Sequence, residues 1–329
     1  MELALVPLIG PFHLRSPAYN AVSVRDLVAG WEPQALATPA LLAGDLADLR
    51  WQDTPEVALP LAVAPWARRR GVPLLEVGEA SSEPGAEEDF RRYLEPYPEM
   101  RQRLAQVDAL LEPVSRLLQE PLSLDRIQEA LLPHLRRYQE TREEAFEDGP
   151  ASGWLRERCR VIADRILDLE FERVALLVPV DTLPFLSDAL AGSSATLVAP
   201  SAPALTPDSR ERSLLDFAFR SEVPDPERLL AQLRELDGAE ARYHEANILL
   251  ANGHGFEALE LLEGASRGDF SSPYFLPGYL LARLGQLRDL AGRRDDAVRA
   301  YRGVLALDYA PQEAVDAARA GMERPFSPA

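Results

Sequence analysis

Residues 55–77, PEVALPLAVAPWARRRGVPLLEV, constrain the fold more than any other stretch, because a helix, a glycine and a short apolar run follow one another directly. Gly71 suits the left-handed conformation that closes a helix. Val72 to Val77 then reads as a strand. Helix, glycine, strand is the grammar of a βαβ unit, which sets strands side by side in parallel. The segment before Gly71, residues 55–70, is read as one helix interrupted by Pro60 and Pro65.

The alternation continues on both sides. Residues 2–9 read as a first strand, in which Pro7 favours a bulge or an edge position. Residues 19–30 read as a helix closed by Gly30, and Gln34 to Ala37 as a short second strand. Trp154 to Leu169 carries Leu155, Cys159, Ile162, Ile166 and Leu169 at helical spacing. Glu172 to Val180 (ERVALLVPV) is the clearest strand, followed by a short helix, Pro184 to Leu190, and a last strand, Ala195 to Ala199. A polar loop at 79–86 leads into long helical stretches at 87–119 and 123–147, the second capped by Ser123 and ended by Gly149-Pro150. The expectation for residues 1–200 is an α/β domain, a mostly parallel sheet with a large helical insertion at about 87–150.

Residues 201–208 form a Pro-rich linker, and beyond it only helices are read: 209–221, 225–236, 239–252, 255–265, 275–291, 294–307 and 312–322. This predicts an all-α domain over 209–329 built of helical hairpins. Ala246, Gly253, Ala258 and Leu262 recur as Gly285, Gly292, Ala297 and Tyr301 at one offset of 39 residues. Small residues there let the two helices of a hairpin approach closely.

Charge and composition narrow the functional classes. The net charge is -18 and all 35 basic residues are arginine, which argues against a nucleic-acid partner. The absence of lysine excludes Schiff-base chemistry and a Walker-type phosphate loop. The single cysteine, Cys159, excludes an internal disulfide and a multi-cysteine metal site. No apolar run reaches the ~20 residues of a membrane helix, and the first residues, MELALVPLIGPFHL, show no basic region or cleavage site of a signal peptide. A cytoplasmic protein without a membrane partner is expected. The abundance of Ala, Leu, Pro and Arg points to a bacterial, GC-rich coding sequence.

His13 stands where GPFH leaves the first strand, a place where α/β domains often carry a site. GPFH in that position resembles the first G-x-x-H motif of the TraB/ChaN/Tiki superfamily, which includes erythromycin-esterase-like proteins. WARRRGVPLLEVGE and RCRVIADRIL, residues 158–167, are similar to later landmarks of that family and make Arg158 the counterpart of its helix arginine. LLVPVDTLPFL, residues 176–186, lies where the family has its second G-x-x-H, with Asp181 or Thr182 in place of the histidine. Thr38 stands where the family usually shows a glutamate. The resemblance implies an α/β fold with a helical insertion, and a metal-dependent hydrolase or a haem-binding protein. In the last hundred or so residues Leu284, Gly285, Gly292, Ala297 and Tyr301, closed by Pro311, resemble the tetratricopeptide pattern, whose usual period is ~34.

Three sets of candidate residues follow. A catalytic set would be His13, Arg158 and Asp181. A metal set would be His13, Asp181 and Glu79, with Glu76 as a substitute for Glu79. Asp181 has a second reading as N-cap of the helix at 183–190. A partner-binding set on the groove side of the first helices would be Tyr243, Asn247, Leu250, Tyr279, Arg283 and Gln286. The lysine clamp known from tetratricopeptide proteins is absent. His134 reads as a boundary residue, His244 and His254 as surface or turn residues, and Cys159 as a buried small hydrophobe. The main expectation is a non-catalytic interaction or scaffold protein, a pseudoenzyme that needs no cofactor and binds another protein or itself through the repeats. The alternatives are a metal-dependent hydrolase around His13, and haem or tetrapyrrole binding.

Overall fold

The computed structural model describes residues 1–40, 54–78, 86–146, 154–202, 204–219 and 225–327. The chain divides into two compact units, with the boundary between Arg210 and Glu211.

The first unit is built on five parallel strands, β1 (Glu2–Leu8), β2 (Ala35–Thr38), β3 (Leu74–Glu76), β4 (Arg173–Pro179) and β5 (Thr196–Val198), in the order β3-β2-β4-β1-β5. β4 is the central strand, and Val174 to Val178 are wholly buried. Its side chains alternate between two cores. Ala175 and Leu177 pack with Val6, Leu8 and Leu36 on one face. Val174, Leu176 and Val178 pack with Leu3, Ala37, Cys159, Ile162 and Ile166 on the other. Burial on both faces explains why ERVALLVPV is continuously apolar rather than alternating.

Helices cover both faces. On the first lie α1 (Ala21–Trp31), a π-helical turn (Leu59–Val63) running into α2 (Ala64–Arg70), and a turn α6 (Leu124–Arg126) that leads through a second π-helical stretch (Ile127–Leu131) into α7 (Leu132–Phe146). On the second lie α8 (Trp154–Leu167) and α9 (Leu183–Leu190). The remaining insertion consists of α3 (Ala86–Leu94), α4 (Pro98–Asp108) and α5 (Leu111–Gln119).

Several expectations are corrected. Pro7 is not on an edge strand: β1 lies between β4 and β5. Yet β5 pairs only with Glu2 to Ala4, so the Pro7 end of β1 is unpaired on that side, where the missing N–H costs no ladder bond. Gly30 sits inside α1, and the left-handed residue after the helix is Glu32, with φ 52°. The interruption at Pro60 takes the form of a π turn. The stretch 87–119 is three helices, because Tyr97 before Pro98 is pushed out of the helical region (φ -111°, ψ 93°) and Pro98 starts a new helix. The linker is shorter than expected, since α10 (Pro207–Ala218) begins within it. Gly71 closes α2 with φ 68°, and the Ser123 hydroxyl accepts from Arg126 N, as the sequence suggests. The expected helix end at Gly149-Pro150 and residues 79–85 lie outside the described residues.

The second unit is helical in all its described elements: α11 (Pro226–Arg234), α12 (Ala239–Ala251), α13 (Gly255–Ala265), α14 (Leu276–Leu290), α15 (Arg294–Leu305) and α16 (Gln312–Glu323) follow α10. α12 packs on α13, α14 on α15, and α16 on both helices of that second hairpin. Gly253 and Gly292 make the hairpin turns with φ 82° and 72°. The close approach expected at Gly285 is present: a Cβ there would lie 2.4 Å from the Tyr301 ring. Gly321 meets the same ring, a Cβ there lying 2.3 Å away, so Tyr301 is packed between two glycines.

Candidate functional site

The turn after β1 is built around His13. Gly10 takes φ 56° and starts a 3-10 turn, Gly10–Arg15, that carries His13 back under the strand end. Ile9 N donates to His13 Nε2 at 3.1 Å, so Nε2 holds the lone pair and Nδ1 carries the proton. Nδ1–H then donates to the Tyr19 carbonyl at 2.8 Å. The Tyr19 hydroxyl donates to Pro7 O at 2.8 Å. Both His13 and Tyr19 are fully buried. Burial lowers the His13 imidazole to about 4 against the pull of its Tyr19 bond, so the ring is neutral near pH 7. Ser16 has a similar role: it donates to Phe12 O at 2.9 Å and accepts from Leu122 N at 3.1 Å, stitching the insertion to the turn.

In front of this turn, at the carboxyl ends of β1, β2 and β4, lies a cavity of about 880 Å³. That is the edge at which parallel sheets hold ligands. Its walls are mostly apolar, with Ile9, Phe12, Val114, Leu118, Leu135 and Val180 among them. Among the described residues, its charged lining side chains are Glu56, Arg158 and Asp181. Arg158 and Asp181 both line this cavity, whereas His13 is not among its lining residues and Glu79 lies outside the described residues.

Glu56 is a site residue that the sequence pattern does not single out. It is 6% exposed, and its Oε2 accepts from Gly10 N at 3.0 Å while its own N–H donates to Thr54 Oγ1 at 3.1 Å. Burial raises its carboxyl to about 7; the Gly10 bond opposes this and the Asp181 charge adds to it. Asp181, by contrast, is exposed, and it does not cap α9. Thr182 holds the cap position and makes no side-chain cap bond there, donating instead to Asp181 Oδ1 at 3.3 Å. Cys159 is fully buried with its thiol pushed up to about 12, chiefly by burial, as a packing residue.

Both His13 nitrogens are bonded to backbone, and among the described residues no three His, Cys, Asp or Glu side chains gather.

The helical unit holds the other candidate set. Tyr243 on α12 and Tyr279 on α14 stack with ring centroids 6.3 Å apart. Tyr243 is buried rather than open, its ring set against His244 and Tyr279, and Phe219 just beyond α10 sits against His244, Phe275 and Tyr279 at 5.5–5.9 Å. One helical turn beyond each tyrosine stand Asn247 and Arg283. Asn247 Oδ1 and Arg283 Nε are buried with no hydrogen-bond partner among the described residues. Gln286 accepts from Arg283 Nη1 at 2.8 Å. His244 is not a surface residue: it is 2% exposed, 3.9 Å from Glu240, in a network where Arg212 donates to Glu240 at 2.8 Å and to Asp216 at 2.9 Å. His254 is exposed in the turn before α13.

The fold and the two sites define a chain with a parallel α/β unit and a unit of helical hairpins. No family model matches it, and neither a curated protein nor a solved structure does.

Proposed function

We propose that this is a protein-interaction protein whose helical-hairpin unit, read as tetratricopeptide-like, holds an extended segment of another polypeptide or of a second copy. The α/β unit is read as a TraB/ChaN-like fold that has kept its framework without that family's histidine chemistry. The observation that carries the reading is the pair of unused buried atoms, Asn247 Oδ1 on α12 and Arg283 Nε on α14, each one helical turn beyond a tyrosine of the stacked pair. An unsatisfied buried polar atom costs about 1–3 kcal/mol. One acceptor and one donor suit the N–H and C=O of a bound backbone, which is how an extended peptide gains affinity. Tyr279 and Gln286 flank them, with Tyr279 donating to Glu313 at 3.2 Å.

The test is selection of peptides from a random library on the full-length protein, followed by anisotropy titration of the selected sequences. Asn247→Ala and Arg283→Ala are each expected to weaken binding by about tenfold, the loss of a good hydrogen bond or slightly more, while His13→Ala leaves the affinity of the folded fraction unchanged. Peptides that bind both groove variants as tightly as the unaltered protein would overturn the reading, as would a selection that yields none.

A further inference from the structure

The cavity of the α/β unit is not explained by peptide binding, and its chemistry points to a different ligand. It is pocket-sized by the standards of small-molecule sites, which run from roughly 300 to 1,000 Å³ with apolar walls and a few placed polar groups. Its apolar wall draws on Ile9 and Phe12 after β1, Val114 and Leu118 on α5, Leu135 on α7, and Val180 after β4. Its charges do not balance. The described lining residues carry two carboxyl groups, Glu56 and Asp181, against one guanidinium, Arg158, and the buried one of the two is Glu56. Glu56 is also held in place, since its Oε2 is tied to Gly10 N at the left-handed turn that ends β1.

We infer that this cavity binds a small cationic amphiphile, an amine on an apolar body, with Glu56 as the counter-ion of its ammonium group. A buried lone carboxylate is costly to ionise, and a ligand ammonium beside it removes most of that cost while its apolar body covers Ile9, Phe12 and Leu118. The carboxyl of Glu56 stays largely protonated up to about pH 7. An ammonium that seats against it at neutral pH therefore displaces the Glu56 proton to the buffer, leaving an ion pair inside the cavity. Among the described residues, the other charged groups facing the cavity are Arg158 and Asp181. His13, behind the turn, is neutral and engaged by backbone on both nitrogens.

The experiment is calorimetric titration of the full-length protein at pH 7 with n-octylammonium, n-octanol and n-octanoate, each below its aggregation concentration. Running it in phosphate and in HEPES, whose ionisation enthalpies differ, counts the protons exchanged. Octylammonium is expected to bind with release of a fraction of a proton, to bind more tightly as pH rises from 6 to 8, and to exceed octanol and octanoate in affinity. Glu56→Gln, checked for native far-UV circular dichroism, is expected to lose tenfold or more in affinity and all of the proton release. Leu118→Trp, which puts a larger side chain at a lining position on α5 and leaves Glu56 intact, is expected to abolish binding. Tighter binding of octanoate, with proton uptake, would overturn the proposal and assign the cavity to an anion at Arg158. Absence of octylammonium binding, or unchanged binding in Glu56→Gln, would overturn it as well.

Discussion

His13 and Glu56 are both buried in the same corner of the α/β unit, and their proton affinities move in opposite directions. Folding lowers His13 from 6.5 to about 4, so as pH falls from about 6.5 towards 4 the unfolded chain takes up a proton that the folded one refuses, and stability is lost. Folding raises Glu56 from 4.5 to about 7, so as pH rises from about 4.5 to 7 the unfolded chain releases a proton that the folded one keeps, and stability is again lost. Between about 4.5 and 6.5 the two slopes cancel, and urea midpoints are expected to be nearly flat there. Glu56→Gln removes one slope, so its midpoint is expected to climb steadily over the same range. Burial disfavours the charged form of Glu240, but the Arg212 charge outweighs it and holds the carboxyl at about 2, which adds a loss of stability confined to pH below 4.5. His13→Ala orphans Ile9 N and Tyr19 O and opens a void, and is expected to cost about 2–4 kcal/mol in urea unfolding.

Among the elements, the Tyr301 sandwich gives the sharpest expectation. Gly321→Ala puts a methyl into a ring that cannot retreat, since Gly285 closes its other face, and should cost about 1–3 kcal/mol as an overpacked core does. In a Tyr301→Leu background the same change should cost much less, and thermal melts of the four proteins measure the difference. The close approach is legible in the sequence at Gly285, because the repeat sets a small residue, Ala246 and then Gly285, at the same place in each hairpin. Gly321 is not legible, because it lies outside the repeat offset. The strands and the caps at Ser123 and Gly71 are legible for the same kind of reason: their signals are local. What escapes is set by tertiary placement. Pro98 looks the same in a sequence whether it interrupts a helix or starts one. Glu56 reads as an ordinary first-turn acid until the fold brings it under Gly10, 46 residues away in the chain. His13 is placed at the strand end by its sequence context, but only the paths of Ile9 and Tyr19 show that both of its nitrogens are already in use.

At the scale of the whole molecule, charge dominates. At -18, with carboxylates far outnumbering arginines, long-range repulsion opposes the compact state at pH 7, and many of the ion pairs are exposed ones worth little each. Raising sodium chloride from 0.05 to 0.5 M shortens the screening length from roughly 14 Å to 4 Å, and the melting temperature is expected to rise by several degrees. A fall instead would mean that the arginine pairs outweigh the repulsion. No helix among the described residues is long and apolar enough to cross a membrane.

The position of β4 between β1 and β2 also has a consequence for how the chain is made. Glu2 pairs with Arg173, and Leu8 with Pro179, so β1 must wait for almost the whole α/β unit to be synthesised before its main partner exists. At translation rates of about 5–20 residues per second that is a delay on the order of 10–30 s. During that interval an apolar strand edge is exposed in the nascent chain, where it can associate with other chains. Cells making this protein quickly are therefore expected to lose more of it to aggregates than cells making it slowly, and holding the nascent chain on a chaperone should recover the difference.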